Sequence, residues 1–208
     1  SIGGGLSSKY LMSYGDLPRS ANDYSPGNLM MPRGAIIDGN LNEVHDIDLG
    51  KLDEIQEYVT HSWYKYGDEQ KGLHPFQGET VPNFDIGNAK GTNTRIEALD
   101  ESAKYSWVKA PRWTGHAMEV SPLARYVIGY VKGIPEFKEP VDMVLQKLGG
   151  LPVTALFSTL GRTAARGLEC SWAAHALKAE FEKLVANIKA GDVATANMAN
   201  FDPSTWKK

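Results

Sequence analysis

Residues 156–188, LFSTLGRTAARGLECSWAAHALKAEFEKLVANI, place Leu156, Leu160, Ala164, Leu168, Trp172, Leu177, Phe181, Leu184 and Ile188 at steps of mostly three to four. A turn of α-helix takes 3.6 residues, so this spacing lays one apolar stripe along one helical face. The stripe continues up to Gly191. At 1.5 Å per residue it predicts a rod of about 50 Å, or two helices bent near Gly161 or Gly167. A globule of 208 residues has a radius of gyration of roughly 17 Å. A rod of this length outruns it and is expected to pack inside a larger body.

Upstream, Val141, Val144, Leu145 and Leu148 mark a second helix that ends at Gly149-Gly150. Before it, Ser121-Pro122 reads as an N-cap followed by proline in the first helical position, and Gly133 stops that helix after about three turns. Tyr105-Ser106-Trp107-Val108-Lys109 reads as a strand ended by Ala110-Pro111. From Trp63 to about Thr94 the chain is aromatic, polar and interrupted by Gly and Pro, which predicts a long loop on a binding face or under another chain. Leu52, Ile55, Tyr58 and Val59 share a face in a short amphipathic helix expected over 51–60, with Asp48 placed to cap it. Ala35-Ile36-Ile37 and Leu41-Asn42-Glu43-Val44 around Asp38-Gly39-Asn40 predict a β-hairpin, with Gly39 supplying positive φ. The expected fold class is therefore mainly α with small β elements (α+β), built on long bundle helices. Its organisation is a single segment, 1–208, of a larger domain: 1–120 loop-rich with a hairpin and short helix, 121–191 helical, 192–208 an extended tail.

Apolar residues make up 42% and charged residues 23%, as in ordinary soluble domains, which excludes disorder for the bulk of the chain. The net charge is −3 and no Lys/Arg run reaches five, so the electrostatic footprint of a nucleic-acid partner is missing. No apolar run approaches the ~20 residues that span a bilayer. The opening Ser1-Ile2-Gly3-Gly4-Gly5 lacks a signal pattern and suggests a piece of something longer.

Few residues are arranged for chemistry. The histidines, His45, His61, His74, His116 and His175, form no i, i+3 or i, i+4 pair. His45 with Glu43, Asp46 and Asp48 reads as a solvated turn, being too short a ligand run for a calcium loop. Gly3-Gly4-Gly5-Leu6-Ser7-Ser8 lacks the strand and the Gly-Lys ending of a phosphate loop and reads as a connector. Cys170, the one cysteine, excludes an internal disulfide and reads as a packed, inert thiol between Leu168 and Trp172. The densest segment is 109–125, with Lys109, Arg112, His116, Glu119 and Arg125 around a helix start. Glu119 is expected near the positive helix N-terminus, and Arg125 in the first turn can fork onto a carboxylate. From residue chemistry alone, these groups read first as an ion pair that pins the corner.

Lys109-Ala110-Pro111-Arg112-Trp113 followed by Gly115-His116-Ala117-Met118-Glu119-Val120-Ser121-Pro122-Leu123-Ala124-Arg125 resembles the nickel–iron hydrogenase large-subunit block around M-E-V-G-P-L-A-R. Leu11-Met12-Ser13-Tyr14-Gly15, Met31-Pro32-Arg33-Gly34-Ala35-Ile36, His61-Ser62-Trp63-Tyr64 and Gly72-Leu73-His74-Pro75-Phe76 fit in the same order. So do Ser158-Thr159-Leu160-Gly161-Arg162 with Ala165-Arg166, and Asp202-Pro203-Ser204-Thr205-Trp206. The resemblance covers nearly the whole chain and has the flavour of the membrane-bound uptake group.

The resemblance implies a central scaffold segment of a subunit that oxidises hydrogen reversibly and heterolytically. The complete subunit would hold a nickel–iron centre with CO and CN ligands, and magnesium nearby. Its implied partners are the remainder of the large subunit, an iron–sulfur small subunit and a membrane cytochrome b, on the periplasmic side of a bacterial membrane. The family's metal-holding C-x-x-C motifs are absent from these 208 residues, so the resemblance assigns no catalytic, cofactor-binding or metal-ligating residue here. Lys109 resembles a lysine near the magnesium–water cluster, and Glu119 and Arg125 are expected to brace the corner around it, with Arg112 and His116 alongside. Ser121 stands where the family usually has Gly, which would strain the turn if positive φ is needed there. The competing expectation is a metal-free, quinone-interacting relative of the respiratory complex I lineage.

Overall fold

Ser121 adopts extended backbone (φ −158°, ψ 170°), and its hydroxyl oxygen accepts the Ala124 N–H at 3.3 Å, the geometry of an N-cap. Pro122 follows in the first helical position, and α1 runs Pro122–Val131. Gly133, at φ +69°, turns the chain out of it. This is a computed structural model, and it describes residues 8–20, 23–65, 71–78, 81–83, 85–88, 95–98, 104–196, 202 and 204. The glycine run at 3–5 and most of the expected tail lie outside the described residues.

α2, Pro135–Lys147, returns against α1 and buries Phe137, Val141 and Leu145. Their contact depends on Gly129 of α1, where an added Cβ would sit 2.5 Å from the Phe137 ring. After a 3-10 turn at Val153–Leu156, α3 runs unbroken over Thr159–Lys189, capped by the Ser158 hydroxyl accepting the Gly161 N–H at 3.0 Å. Of the two expectations for the long stripe, the single rod is the one found. Gly161 seats the rod on the preceding turn, since a Cβ there would meet the Leu156 carbonyl oxygen at 2.0 Å.

In the N-terminal half, β1 (Leu11–Pro18) pairs antiparallel with β2 (Leu29–Ile36), in register from Leu11↔Ile36 to Pro18↔Leu29. Strand side chains alternate, and here the alternation divides two cores. Leu11 and Ile36 face α1, α2 and the start of α3, together with Tyr126, Ile128 and Phe137. Met12 and Ala35 face the other way, onto Ile47, Ile55, Trp113 and Met118. The hairpin is thus a middle layer between the helices and a second sheet. That sheet orders β3 (Ile55–Tyr58), β6 (Ala110–Trp113) and β7 (His116–Ala117), all antiparallel. β4 (Asp85–Asn88) and β5 (Arg95–Ala98) pair separately.

Four local expectations are corrected. The strand ending at Ile36 pairs upstream with β1, so the predicted hairpin around Asp38-Gly39-Asn40 shrinks to one bridge, Ala35↔His45. Gly39 does take positive φ (+68°), but its N–H donates to the Lys9 carbonyl at 2.7 Å instead of closing a hairpin. The predicted helix at 51–60 is a turn followed by β3. Ile55 and Val59 are both buried, and a spacing of four returns to the same face in a helix and in a strand alike. The β-branched Ile55 and Val59 and the available partner β6 decide for the strand. Asp48 accepts the Gly50 N–H in a turn and caps no helix. The strand predicted at 105–109 starts later, at Ala110, because the ladder with β3 lies there. The long loop expected from 63 to 94 contains β4 and leads into β5.

Candidate functional site

Glu119 leaves the β7 end of the small sheet with its backbone held on both sides. Its N–H donates to the Tyr10 carbonyl at 2.8 Å, and its own carbonyl accepts the Met12 N–H at 3.0 Å. This fixes the corner between the hairpin and α1. The side chain then turns toward α3. Arg162 donates through Nε to Glu119 Oε1 at 2.9 Å and through Nη2 to Oε2 at 2.6 Å, and the Ser121 hydroxyl donates to Oε1 at 2.8 Å. One serine thus caps α1 and orients the carboxylate.

A second fork lies beside the first. Arg125, one turn into α1, donates through Nε and Nη2 to the two oxygens of Glu169 at 2.7 and 2.6 Å. Arg162 and Glu169 are seven residues apart, two turns of α3, so both point to the same side of the rod. Bidentate guanidinium–carboxylate pairs fix direction as well as distance. Two of them in register set both the tilt and the rotation of α3 against the α1 corner. All four side chains are 13–25% exposed, so solvent screens them only in part. The Glu119 hydrogen bonds hold the Arg162 guanidinium above its ordinary pKa. Burial, with the Glu169 carboxylate nearby, pushes the Tyr126 phenol up to about 12.

The other three predicted residues engage different partners. Lys109 Nζ lies 3.5 Å from Glu57 Oε2 on β3 and 5.6 Å from the centre of the Tyr64 ring. Across the hairpin, burial and then repulsion from Glu57 raise the Tyr14 phenol to about 12. Arg112, on β6, lies over the Tyr58 ring at 5.5 Å and donates to the Pro111 carbonyl. His116 is exposed and stacks on Tyr10 at 5.1 Å. The structure therefore joins Glu119 and Arg125 through α3. Lys109 and Arg112 sit on the β3–β6 sheet.

The residue chemistry at 109–125 did not reveal the other half of each pair. Arg162, Glu169 and Glu57 are the partners, and the signal available was the seven-residue spacing of opposite charges off the apolar stripe. Ser121 is unstrained, since its φ of −158° is open to any residue. Cys170 is corrected: it is exposed on α3, because the stripe that packs the helix turns away from it. His45 Nδ1 lies 3.5 Å from Glu43 Oε1 at the surface. Among the described residues no three His, Cys, Asp or Glu side chains gather as a metal site. Among these described residues the donor set does not fit a nickel–iron centre.

All 208 residues match the family model described as nickel-dependent hydrogenase. The chain is 62% identical to the uptake hydrogenase large subunit of Rhizobium leguminosarum bv. viciae over 207 residues, 99% of this chain and 35% of that protein. It is 61% identical to the uptake hydrogenase large subunit of Bradyrhizobium diazoefficiens, with the same coverage of each. Among solved structures, the reduced, active Ni-Fe-Se hydrogenase from Desulfomicrobium baculatum superposes with a TM-score of 0.55 and 25% identity, over 85% of this chain and 32% of that one. The chain thus spans about a third of the length of the curated relatives it matches.

Proposed function

Because this chain belongs to the nickel-dependent hydrogenase family, we propose that it is the central scaffold of a hydrogenase large subunit. The complete subunit oxidises molecular hydrogen reversibly and passes electrons to the iron–sulfur clusters of a small subunit. The nickel–iron centre, its CO and CN ligands and a nearby magnesium are held by parts of the subunit outside residues 1–208. The observation that carries the reading is the pair of forks from Glu119 and Arg125 onto α3. They lie in the same block, 109–125, whose sequence resembles the family most densely. Lys109 is held by Glu57 and Tyr64, and its resemblance to the family's lysine supports a role beside the magnesium–water cluster, with Arg112 and His116 alongside.

The resemblance to uptake hydrogenases supports a location at the periplasmic side of a membrane, docked to a cytochrome b. None of the described helices is long and apolar enough to cross a membrane itself. Identity above 60% to uptake hydrogenase large subunits disfavours the metal-free complex I relative. The test is hydrogen-dependent dye reduction by the intact two-subunit protein. Activity is expected in the intact protein and none in the 208-residue chain alone. An intact, metal-replete protein that reduces no dye under hydrogen overturns the reading.

A further inference from the structure

Asp38-Gly39 is the one Asp–Gly step in the chain, which contains no Asn–Gly step. Such a step is the aspartyl junction most open to ring closure. Glycine sets no side chain against attack by its own backbone nitrogen on the aspartyl Cγ. Asp38 is exposed, so water and protons reach its carboxyl. Asp38 and Gly39 both take positive φ, +50° and +68°. The Asn40 N–H donates to the Ile37 carbonyl at 3.0 Å, which closes a type I′ turn with Asp38 and Gly39 at its centre. The Gly39 N–H, whose nitrogen is the nucleophile, donates to the Lys9 carbonyl at 2.7 Å. The Lys9 side chain packs over it, since a Cβ added at Gly39 would lie 3.5 Å from Lys9 Cβ.

We propose that Asp38 is a site of spontaneous backbone isomerisation, and that the Lys9 carbonyl latches it shut. The Gly39 nitrogen attacks Asp38 Cγ, its proton and the carboxyl hydroxyl leave as one water, and a succinimide ring forms. Water then adds at either ring carbonyl. Breaking the nitrogen's bond to Cγ restores aspartate. Breaking its bond to the main-chain carbonyl carbon leaves isoaspartate, whose chain runs through Cβ and Cγ and whose former main-chain carbonyl is a carboxylate. No oxidant, reductant or further reactant is needed. The folded geometry opposes the first step. Ring closure needs the Gly39 nitrogen rotated over Asp38 Cβ, far from the ψ of about +30° at the first central residue of a type I′ turn. The nitrogen also has to release the proton it shares with Lys9. The turn and the latch therefore open first. The latch lies just beyond the Leu11↔Ile36 end of the β1–β2 ladder, and ladder ends open at less cost than ladder centres. Once isoaspartate forms, its added backbone carbon displaces the Gly39 N–H from Lys9.

The test incubates the intact large subunit near neutral pH, folded and unfolded in guanidinium. Chromatography of the tryptic peptide 34–51 separates the isomers, which have equal mass, and electron-transfer fragmentation assigns the position. Asp46 and Asp48 lie in the same peptide ahead of the bulky Ile47 and Leu49 and serve as internal references. Isoaspartate is expected at 38 and not at 46 or 48. It should form at least about tenfold slower in the folded subunit, because the latch and the turn both have to open. Lys9→Gly, which removes the side chain packed on Gly39, should raise the folded rate toward the unfolded one. Equal rates in the folded and unfolded subunit overturn the latch, and no isoaspartate at 38 in the unfolded subunit overturns the site. A Lys9→Gly subunit that is folded by circular dichroism and isomerises no faster than its parent assigns the protection to the turn alone, which also overturns the latch.

Discussion

Glu119 and Arg162 each lose a fork if the other is removed, and the orphaned charge stays mostly out of water. Hydrogen bonds to charged groups contribute about 1.5–3 kcal/mol each, and partial exposure lowers that figure. Glu119→Gln and Arg162→Ala are each expected to cost about 2 kcal/mol in urea unfolding, with a coupling of roughly 1–2 kcal/mol in the double-mutant cycle. Additive effects would show that the fork holds nothing. Two phenols give a pH test. Tyr14 and Tyr126 are raised from 10 to about 12, so the folded state favours their neutral form. That contribution is fully present below pH 10 and is lost as pH rises from 10 through 12. Absorbance at 295 nm should show Tyr14 and Tyr126 ionising late among the nine tyrosines, with Tyr130, which burial and Asp142 also raise, above the ordinary range, and Tyr14→Phe should remove one late phenol. A single titration of all the phenols near 10 in the folded protein would contradict the burial of both.

The same substitution at two glycines of α3 is expected to have opposite signs. At Gly161 a Cβ would collide with the backbone of Leu156, whereas at Gly167 it meets nothing within 4 Å. Gly161→Ala should destabilise by about 2–3 kcal/mol, because the rod must lift off its seat. Gly167→Ala should stabilise by about 0.5–1 kcal/mol through helix propensity alone. Denaturant midpoints of the two variants check this, and equal signs would refute the seating of α3. At this scale the helices were readable from residue order, since Ser121-Pro122, Gly133 and the long stripe carry their own start, stop and period. The sheets were less readable. Ile55 and Val59 fit either period, and Ile36 pairs backward over a connection that no local pattern announces. Half of the brace was legible at Glu119 and Arg125, but Arg162 and Glu169 could be assigned only once α3 was known to be one straight element.

The whole molecule has a helix longer than its own core can cover. Near the α1 corner α3 is held by Gly161, Ala165 and two ionic forks, and beyond Trp172 it carries an uncovered apolar seam. A layered body of hairpin, small sheet and two short helices thus fixes one end of a rod and presents the rest to a larger structure. That division agrees with a chain matching a third of the length of hydrogenase large subunits. On the scaffold reading, these residues support a nickel site built elsewhere in the subunit. Nickel counted per polypeptide tests it most directly, in the intact large subunit and in the 208-residue chain side by side. About one nickel is expected in the intact subunit and none in the 208-residue chain, and an intact, folded subunit free of nickel overturns the scaffold reading.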